Sequence, residues 1–281
     1  MTVAIIGYGV VGQAYHKMFP DAVIYDPYYK VPNGTYLGNG VPEGYNYPFA
    51  HTQDEVNRCD IALVCVWTAG QEAGDLDMSI VESTVDWLKT PLILIKSALQ
   101  PGTVDRLVKK TGKKIAVSVE FIGEGNYPVH FWKYPDQHDP RKHSMLIVGG
   151  EESTATACAE ILWSKMSPDV KIHVTTALEA EITKLVENSY GALKVTFANA
   201  FLSIAQKSGT NFVRMHQAWQ SDSRTDSMHV RAVSFNKGWQ SKCWDKDVPA
   251  LVAFAKSVGA DDAAKLFETV LELNDGHLSE N

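Results

Sequence analysis

Val3-Ala-Ile-Ile6 is a short, continuously apolar run, and Gly7-Tyr-Gly9-Val-Val-Gly12 follows it without a break. An unbroken apolar run suits a strand buried on both faces. Glycines at this spacing suit a tight turn into a helix whose first N–H groups face a phosphate. The next apolar run, Ala22-Val-Ile-Tyr25, ends on Asp26, a carboxylate placed for the ribose hydroxyls of a βαβ dinucleotide unit. A carboxylate there repels a 2′-phosphate, so NAD is expected over NADP. Its expected contacts are Gly7, Gly9, Val10, Val11, Gly12 and Asp26.

Further runs continue the alternation with helical patterns: Ile61 to Val66, Leu92-Ile-Leu-Ile95, Ile115-Ala-Val-Ser-Val119 and Met145-Leu-Ile-Val148. They predict an α/β class fold, a Rossmann-like, doubly wound parallel sheet over residues 1–172. After Lys171-Ile-His-Val174 the pattern turns helical, which predicts a second, α-helical domain over 173–281. From Ala177 to Ser208, Leu178, Ile182, Leu185, Ser189, Leu193, Phe197, Phe201 and Ile204 recur at the spacing of one helical face, with no proline among them. One helix of about 30 residues would run ~45 Å. A further helical stretch is expected from Pro249 through Leu273. The Gly/Pro/Tyr-rich run Pro27 to Pro48 reads as an irregular loop.

A net charge of −7 and a pI near 5.7 argue against a nucleic-acid or anionic-membrane partner, either of which calls for a basic surface. Cys59, Cys65, Cys158 and Cys243 show neither CxxC pairing nor metal-ligand spacing, so no metal is expected and a reducing, cytoplasmic compartment is. No basic leader precedes the first strand, and the longest apolar run, Ile61 to Trp67, is far short of the ~20 residues that span a bilayer.

Three places could carry chemistry. Lys184 and Asn188 are one helical turn apart, with Gly191 on roughly the same side; a mid-helix glycine costs about 1 kcal/mol relative to alanine, which suggests close approach of another group. A solvated surface pair is the plainer account of the lysine and the amide. Glu120-Phe-Ile-Gly-Glu124 follows a predicted strand, where two acids could bind ribose, position water or simply be solvated. Gly238-Trp-Gln-Ser-Lys-Cys243-Trp-Asp-Lys-Asp247 sets one thiol among lysines, aspartates and tryptophans, and a free cysteine is most often a small hydrophobe.

Taken in order, Gly7-x-Gly9-x-x-Gly12, Lys96-Ser97 before Pro101-Gly-Thr103, Glu120-Phe-x-x-Glu124-Gly, Glu181-Ile-x-Lys184-Leu-x-x-Asn188 and Cys243-x-x-Lys246-Asp247 resemble the UDP-glucose/GDP-mannose dehydrogenase family. That family oxidises the primary alcohol of a nucleotide sugar to a carboxylate and reduces two NAD. The resemblance implies Cys243 as nucleophile, Lys184 and Asn188 at the developing oxyanion, Asp247 ordering water and Glu120 in hydrolysis. Thr68, Ser97, Glu124 and Lys246 fall at its NAD contacts. Arg224 aligns with an arginine that reaches a neighbouring subunit's substrate, so a homodimer is expected.

The chain also departs from the family. Ser97-Ala98-Leu99 stands where Ser-Thr-Val is usual, and Trp239-Gln-Ser-Lys242 where Gly-Gly-Ser precedes the cysteine. Asn281 falls where the family continues into a third, nucleotide-binding domain, so a compact form is expected. Two other readings of the residues stay open: a one-step dehydrogenase of the 6-phosphogluconate or 3-hydroxyacid type, which also uses a helix Lys with an Asn four residues on, and an NAD-binding protein without turnover.

Overall fold

Strands β1 (Val3–Ile6), β3 (Ile61–Val64) and β5 (Ile115–Val117) are buried at every residue, as their unbroken apolar runs require. With β2 (Val23–Tyr25), β4 (Leu92–Ile95), β6 (Met145–Gly150) and β7 (Lys171–Thr175) they form one sheet in the order β2-β1-β3-β4-β5-β6-β7. The computed structural model of the chain describes residues 1–27, 52–122, 138–225, 229–230 and 237–279.

From β2 to β5 the pairs are parallel, with Ile5 beside Leu63 and Leu63 beside Leu94. The expected doubly wound parallel sheet is modified at β6, which runs antiparallel to β5, while β7 runs parallel to β6. An apolar run is buried equally well in either direction, so composition alone does not set this reversal. Gly150 permits it at close quarters, since a Cβ there would meet Ala116 at 3.3 Å. The edge strand β7 is exposed from Lys171 to Val174.

Helices α1 (Val10–Met18), α2 (Gln53–Val56), α3 (Ser79–Trp87), α4 (Thr103–Thr111) and α5 (Glu152–Trp163) connect the strands. Tyr15 and Met18 from α1, and Cys158 and Leu162 from α5, close the core over Ile5, Ile24, Leu63 and Val148. The sheet order reverses between β1 and β3. In open α/β sheets, ligands bind at such a switch point, outside the carboxyl ends of the strands.

Helix α6 spans Ala177–Lys207, within a residue of its predicted end. The chain resolves into two compact units whose boundary falls inside this helix. The first holds the sheet and continues to Lys184; the second holds Ala69–Leu76 and the residues from Leu185 on. In the second unit, α7 (Phe212–Gln220) is capped by Asn211, whose side chain accepts from Arg214 N. The single helical stretch expected from Pro249 to Leu273 is instead two helices, α8 (Trp244–Ser257) and α9 (Asp261–Ser279). Gly259, at φ +74°, makes the break.

The buried face of α6 also differs from the predicted stripe. Leu185, Ser189, Ala192, Asn199, Leu202 and Ala205 are buried, whereas Phe197 and Ile204 are 52% and 59% exposed.

Candidate functional site

The turn after β1 is built as its glycines require. Gly7 has φ +86°, and a Cβ there would lie 2.7 Å from the Cys65 carbonyl oxygen at the end of β3. A Cβ on Gly12 would lie 2.1 Å from the Gly7 carbonyl oxygen. Gly9 is different: it caps α1, and nothing lies within 4 Å of where its Cβ would be. Two glycines therefore close the turn, and the third leaves open space beside a helix N-terminus. Asp26 is held to the same turn, its Oδ2 accepting from Tyr8 N at 2.8 Å. Val10 and Val11 open the helix as partly buried residues packed on the core. This cradle fits the pyrophosphate and ribose of a dinucleotide.

Two of the other residues expected at the cofactor, Ser97 and Thr68, lie just past the carboxyl ends of neighbouring strands. Ser97 Oγ donates to Val66 O at 2.6 Å, and the buried Thr68 Oγ1 donates to Ala98 O at 3.0 Å. The two hydroxyls tie the ends of β3 and β4 together. Glu124 lies outside the described residues.

Beside them is a buried amine that periodicity could not point out. Lys96 is 2% exposed; its Nζ donates to Ser118 Oγ at 2.9 Å and lies 4.6 Å from the centre of the Tyr15 ring. Burial pulls its ammonium down to about 7, against the opposing pull of the Glu120 and Cys65 side chains. Burial also pushes the Cys65 thiol up to about 12 and the Tyr15 hydroxyl well above its usual range. Glu120 Oε2 accepts from Ile122 N at 2.7 Å. Its carbonyl oxygen accepts from Lys184 Nζ at 2.6 Å, and that ammonium also sits 4.9 Å from the Phe121 ring centre. Lys184 is thus a held cation rather than a solvated one.

Glu181, one turn before Lys184 on α6, caps α4. Its carboxylate accepts from Gly102 N at 2.6 Å and Val104 N at 2.9 Å. Burial pushes this carboxyl up to about 7 although both N–H groups pull it down. Its motif position thus has a structural purpose: it joins the Pro101-Gly-Thr103 turn to the start of α6.

In the second unit, Asp247 is fully buried and receives two donors. Asn188 Nδ2 binds Oδ2 at 2.5 Å, and Lys246 Nζ binds Oδ1 at 2.6 Å. Asn188 is 8% exposed, which removes the solvated-surface account of this residue. Lys246, expected at the cofactor, gives its ammonium to Asp247. Cys243 is the N-cap residue of α8, half-buried, and one turn from Asp247, whose N–H donates to Cys243 O at 2.9 Å. A thiol at a helix N-terminus is the setting in which a thiolate is stabilised.

Gly191 has a neighbour, and it is a side chain: a Cβ there would lie 2.7 Å from the Trp244 ring. The mid-helix glycine therefore admits the residue that follows Cys243. Arg224 is 88% exposed and forks onto Asp222 of its own chain. Among the described residues no cluster suited to a metal ion occurs, and no helix is long and apolar enough to cross a membrane.

Sheet order, glycine cradle and strand-end polar groups define the class: an α/β dinucleotide-fold chain continued by a helical unit with a thiol at a helix N-terminus. More particularly, residues 178–276 match the central domain of the UDP-glucose/GDP-mannose dehydrogenase family, so the family resemblance of the motifs holds. The UDP-glucose 6-dehydrogenase of Rickettsia typhi is 25% identical over 232 residues, covering 79% of this chain and 50% of that one. The UDP-N-acetyl-D-mannosamine dehydrogenase of Methanocaldococcus jannaschii is 28% identical over the same shares of the two chains. The chain spans about half the length of these relatives. The solved structure of a UDP-glucose dehydrogenase from Pyrobaculum islandicum superposes with a TM-score of 0.74 at 22% identity, covering 98% of this chain and 68% of that one. This likeness establishes the fold.

Proposed function

We propose that this chain binds NAD at the Gly7–Gly12 turn and oxidises the primary alcohol of a nucleotide sugar to a carboxylate in two steps, with Cys243 as nucleophile. The observation that carries this reading is the buried Asn188–Asp247–Lys246 network one helical turn from Cys243. A structural cysteine has no need of an ionic network beside it, and burying such a network is costly unless it serves a purpose.

Bound NAD supplies the hydride acceptor for each oxidation. Gly9 leaves the space for its pyrophosphate, and Asp26 holds the ribose hydroxyls. The first oxidation leaves an aldehyde, which has no second hydride to give until something adds to its carbonyl carbon. Cys243 Sγ adds there, and the new oxyanion is met by the Lys184 ammonium and the Asn188 amide. Asp247 fixes the orientation of that amide by accepting its N–H. Oxidation of this thiohemiacetal gives a thioester; water attacks its carbonyl carbon, the C–S bond breaks, and the thiol returns. Glu120 assists the water by accepting its proton.

The same reading takes the chain as a homodimer. The exposed Phe197 of α6 lies with the ring cluster of Phe201, Phe212 and Trp219, and Ile204 of the same helix is exposed as well, an apolar surface that a second copy would cover. Arg224 is the residue proposed to reach the partner's substrate.

The test is NADH production by purified protein across nucleotide sugars, sugar phosphates and 3-hydroxyacids. Two NADH per nucleotide sugar consumed supports the proposal. One NADH and a ketone from a hydroxyacid would establish the one-step alternative, and NAD binding with no turnover on any of them a binding protein.

A further inference from the structure

We infer that Asn274 and Trp239 form a positioning device that holds the Cys243 segment in register, an inference that rests on the role proposed for that thiol. Asn274, on α9, is 4% exposed and grips both edges of one residue: its Oδ1 accepts from Trp239 N at 2.7 Å, and its Nδ2 donates to Trp239 O at 3.0 Å. A side-chain amide paired in this way fixes a stretch of backbone as a neighbouring strand would, and neither group is left for water.

The indole adds a second anchor. Trp239 is 6% exposed, and its Nε1 donates to Thr196 Oγ1 on α6 at 3.1 Å. Its ring meets Trp244 edge to face at 5.9 Å, and Trp244 in turn occupies the space left by Gly191. Gly238 permits the approach, with φ +81° and a would-be Cβ 3.0 Å from Asn274 Oδ1. Between the anchors Ser241 starts the helix: its Oγ accepts from Trp244 N at 2.8 Å, and Asp245 Oδ1 accepts from Ser241 N at 3.0 Å.

The segment Gly238–Trp244 is therefore tied to α9 at Trp239, to α6 at Trp239 and Trp244, and to its own helix at Ser241. Cys243 is the residue before Trp244, so every tie bears on where the thiol points. The family's Gly-Gly-Ser is absent here, and the chain reaches a defined loop with bulk and hydrogen bonds in place of small residues. Asn274 touches no reacting atom in this account; it acts through Trp239.

The experiment compares wild-type protein with Asn274→Ala, Asn274→Asp and Trp239→Phe. It follows iodoacetamide labelling of Cys243 by peptide mass spectrometry and amide hydrogen exchange at Trp239. Amides of Leu251 and Val270, in the same unit, report general loosening. Asn274→Ala is expected to speed Cys243 labelling and Trp239 exchange about tenfold or more, the usual scale for losing a buried hydrogen-bonded pair, with Leu251 and Val270 unchanged. Asn274→Asp keeps the acceptor for Trp239 N but sets a buried carboxylate oxygen against Trp239 O, so labelling and exchange rise at least as far as in Asn274→Ala. Trp239→Phe, which removes the indole N–H together with one ring of the buried indole, shifts labelling in the same direction. Wild-type labelling in all three variants overturns the inference, as does a rise matched by Leu251 and Val270. Should Asn274→Ala not fold, the other two variants decide. Because labelling needs no substrate, lack of turnover on nucleotide sugars would sink the proposed function and leave this result standing.

Discussion

Gly9→Ala and Gly12→Ala, one turn-length apart, should fail in opposite ways. The Gly12 Cβ would sit 2.1 Å from the Gly7 carbonyl oxygen, a clash of backbone with backbone that no rotamer relieves. Relief requires moving β1 against α1, which at the upper end of the overpacking scale costs about 3 kcal/mol. At roughly 2 °C per kcal/mol or more for a chain of this size, Tm falls by about 6 °C or more. Gly9 has φ −72°, open to any residue, and nothing lies within 4 Å of its Cβ. Alanine there loses roughly 0.5–1 kcal/mol as a cap and recovers about 0.4–1 kcal/mol by restricting the unfolded chain, so Tm stays within a few degrees of wild type. The methyl nevertheless occupies the space assigned to pyrophosphate, and NAD affinity should drop at least about tenfold, or ~1.4 kcal/mol. Thermal melts and calorimetric NAD titration separate the two effects. If Gly9→Ala binds NAD as wild type does, or if Gly12→Ala melts unchanged, the reasoning about this turn is refuted.

Lys96 predicts a pH signature. Its folded pKa, near 7, lies below the unfolded value near 10.5, so above pH 7 the unfolded chain holds a proton that the folded chain has shed. Stability gains from this group as pH rises, by at most about 1.4 kcal/mol per unit, and the destabilisation is complete below 7. The cleanest window is pH 7 to 8.5, above the Glu181 transition near 7 and below the thiols, which start from 9.0 unfolded. Lys96→Met, which leaves Tyr15, Cys65, Ser118, Glu120 and Lys184 around an apolar chain, should lack that rise; parallel Tm-versus-pH curves for the two proteins would contradict it. Asp247→Asn leaves the buried Lys246 ammonium without its carboxylate and should cost roughly 3 kcal/mol in urea unfolding, whereas Asp222→Asn, beside the exposed Arg224, should melt as wild type. Phe197→Glu should convert the proposed homodimer to monomer in light scattering at micromolar concentration; a wild-type monomer would remove that proposal.

Much of this architecture was legible because it follows from local periodicity. Six of the seven strands follow from continuous apolar runs, the exposed edge strand β7 being the exception, α6 from a proline-free 3.6-residue repeat, and the cofactor turn from glycines whose need for φ > 0 or close approach is local. What was not legible depends on partners distant in sequence. The reversal at β6 leaves the burial of its residues unchanged. The stripe on α6 is legible as one helical face, and its Leu185 and Ser189 are buried, but its Phe197 and Ile204 are exposed and polar Asn199, off the stripe, is buried, because what faces each turn of a long helix changes along its length. Gly191 suggested a close approach, and the approaching group is Trp244, 53 positions along the chain (244 − 191). The break between α8 and α9 at Gly259 rests on a positive φ there, and a lone glycine inside a helical pattern does not by itself announce one. Lys96 stands in one of the motifs and Asn274 in none, but the burial of neither is legible, since nothing local tells a buried amine or amide from a solvated one.

The central claim is that Cys243 becomes covalently attached to the substrate carbon during the second oxidation. Intact-protein mass spectrometry of Cys243→Ser, incubated with NAD and the nucleotide sugar that wild-type protein turns over, tests it most directly. A serine hydroxyl can add to the aldehyde, but the resulting ester hydrolyses more slowly than a thioester. The account predicts an acyl adduct on the peptide containing residue 243, NAD binding at wild-type affinity, and carboxylate formation largely lost. Carboxylate formed at the wild-type rate by Cys243→Ala, with no adduct on Cys243→Ser, would contradict it.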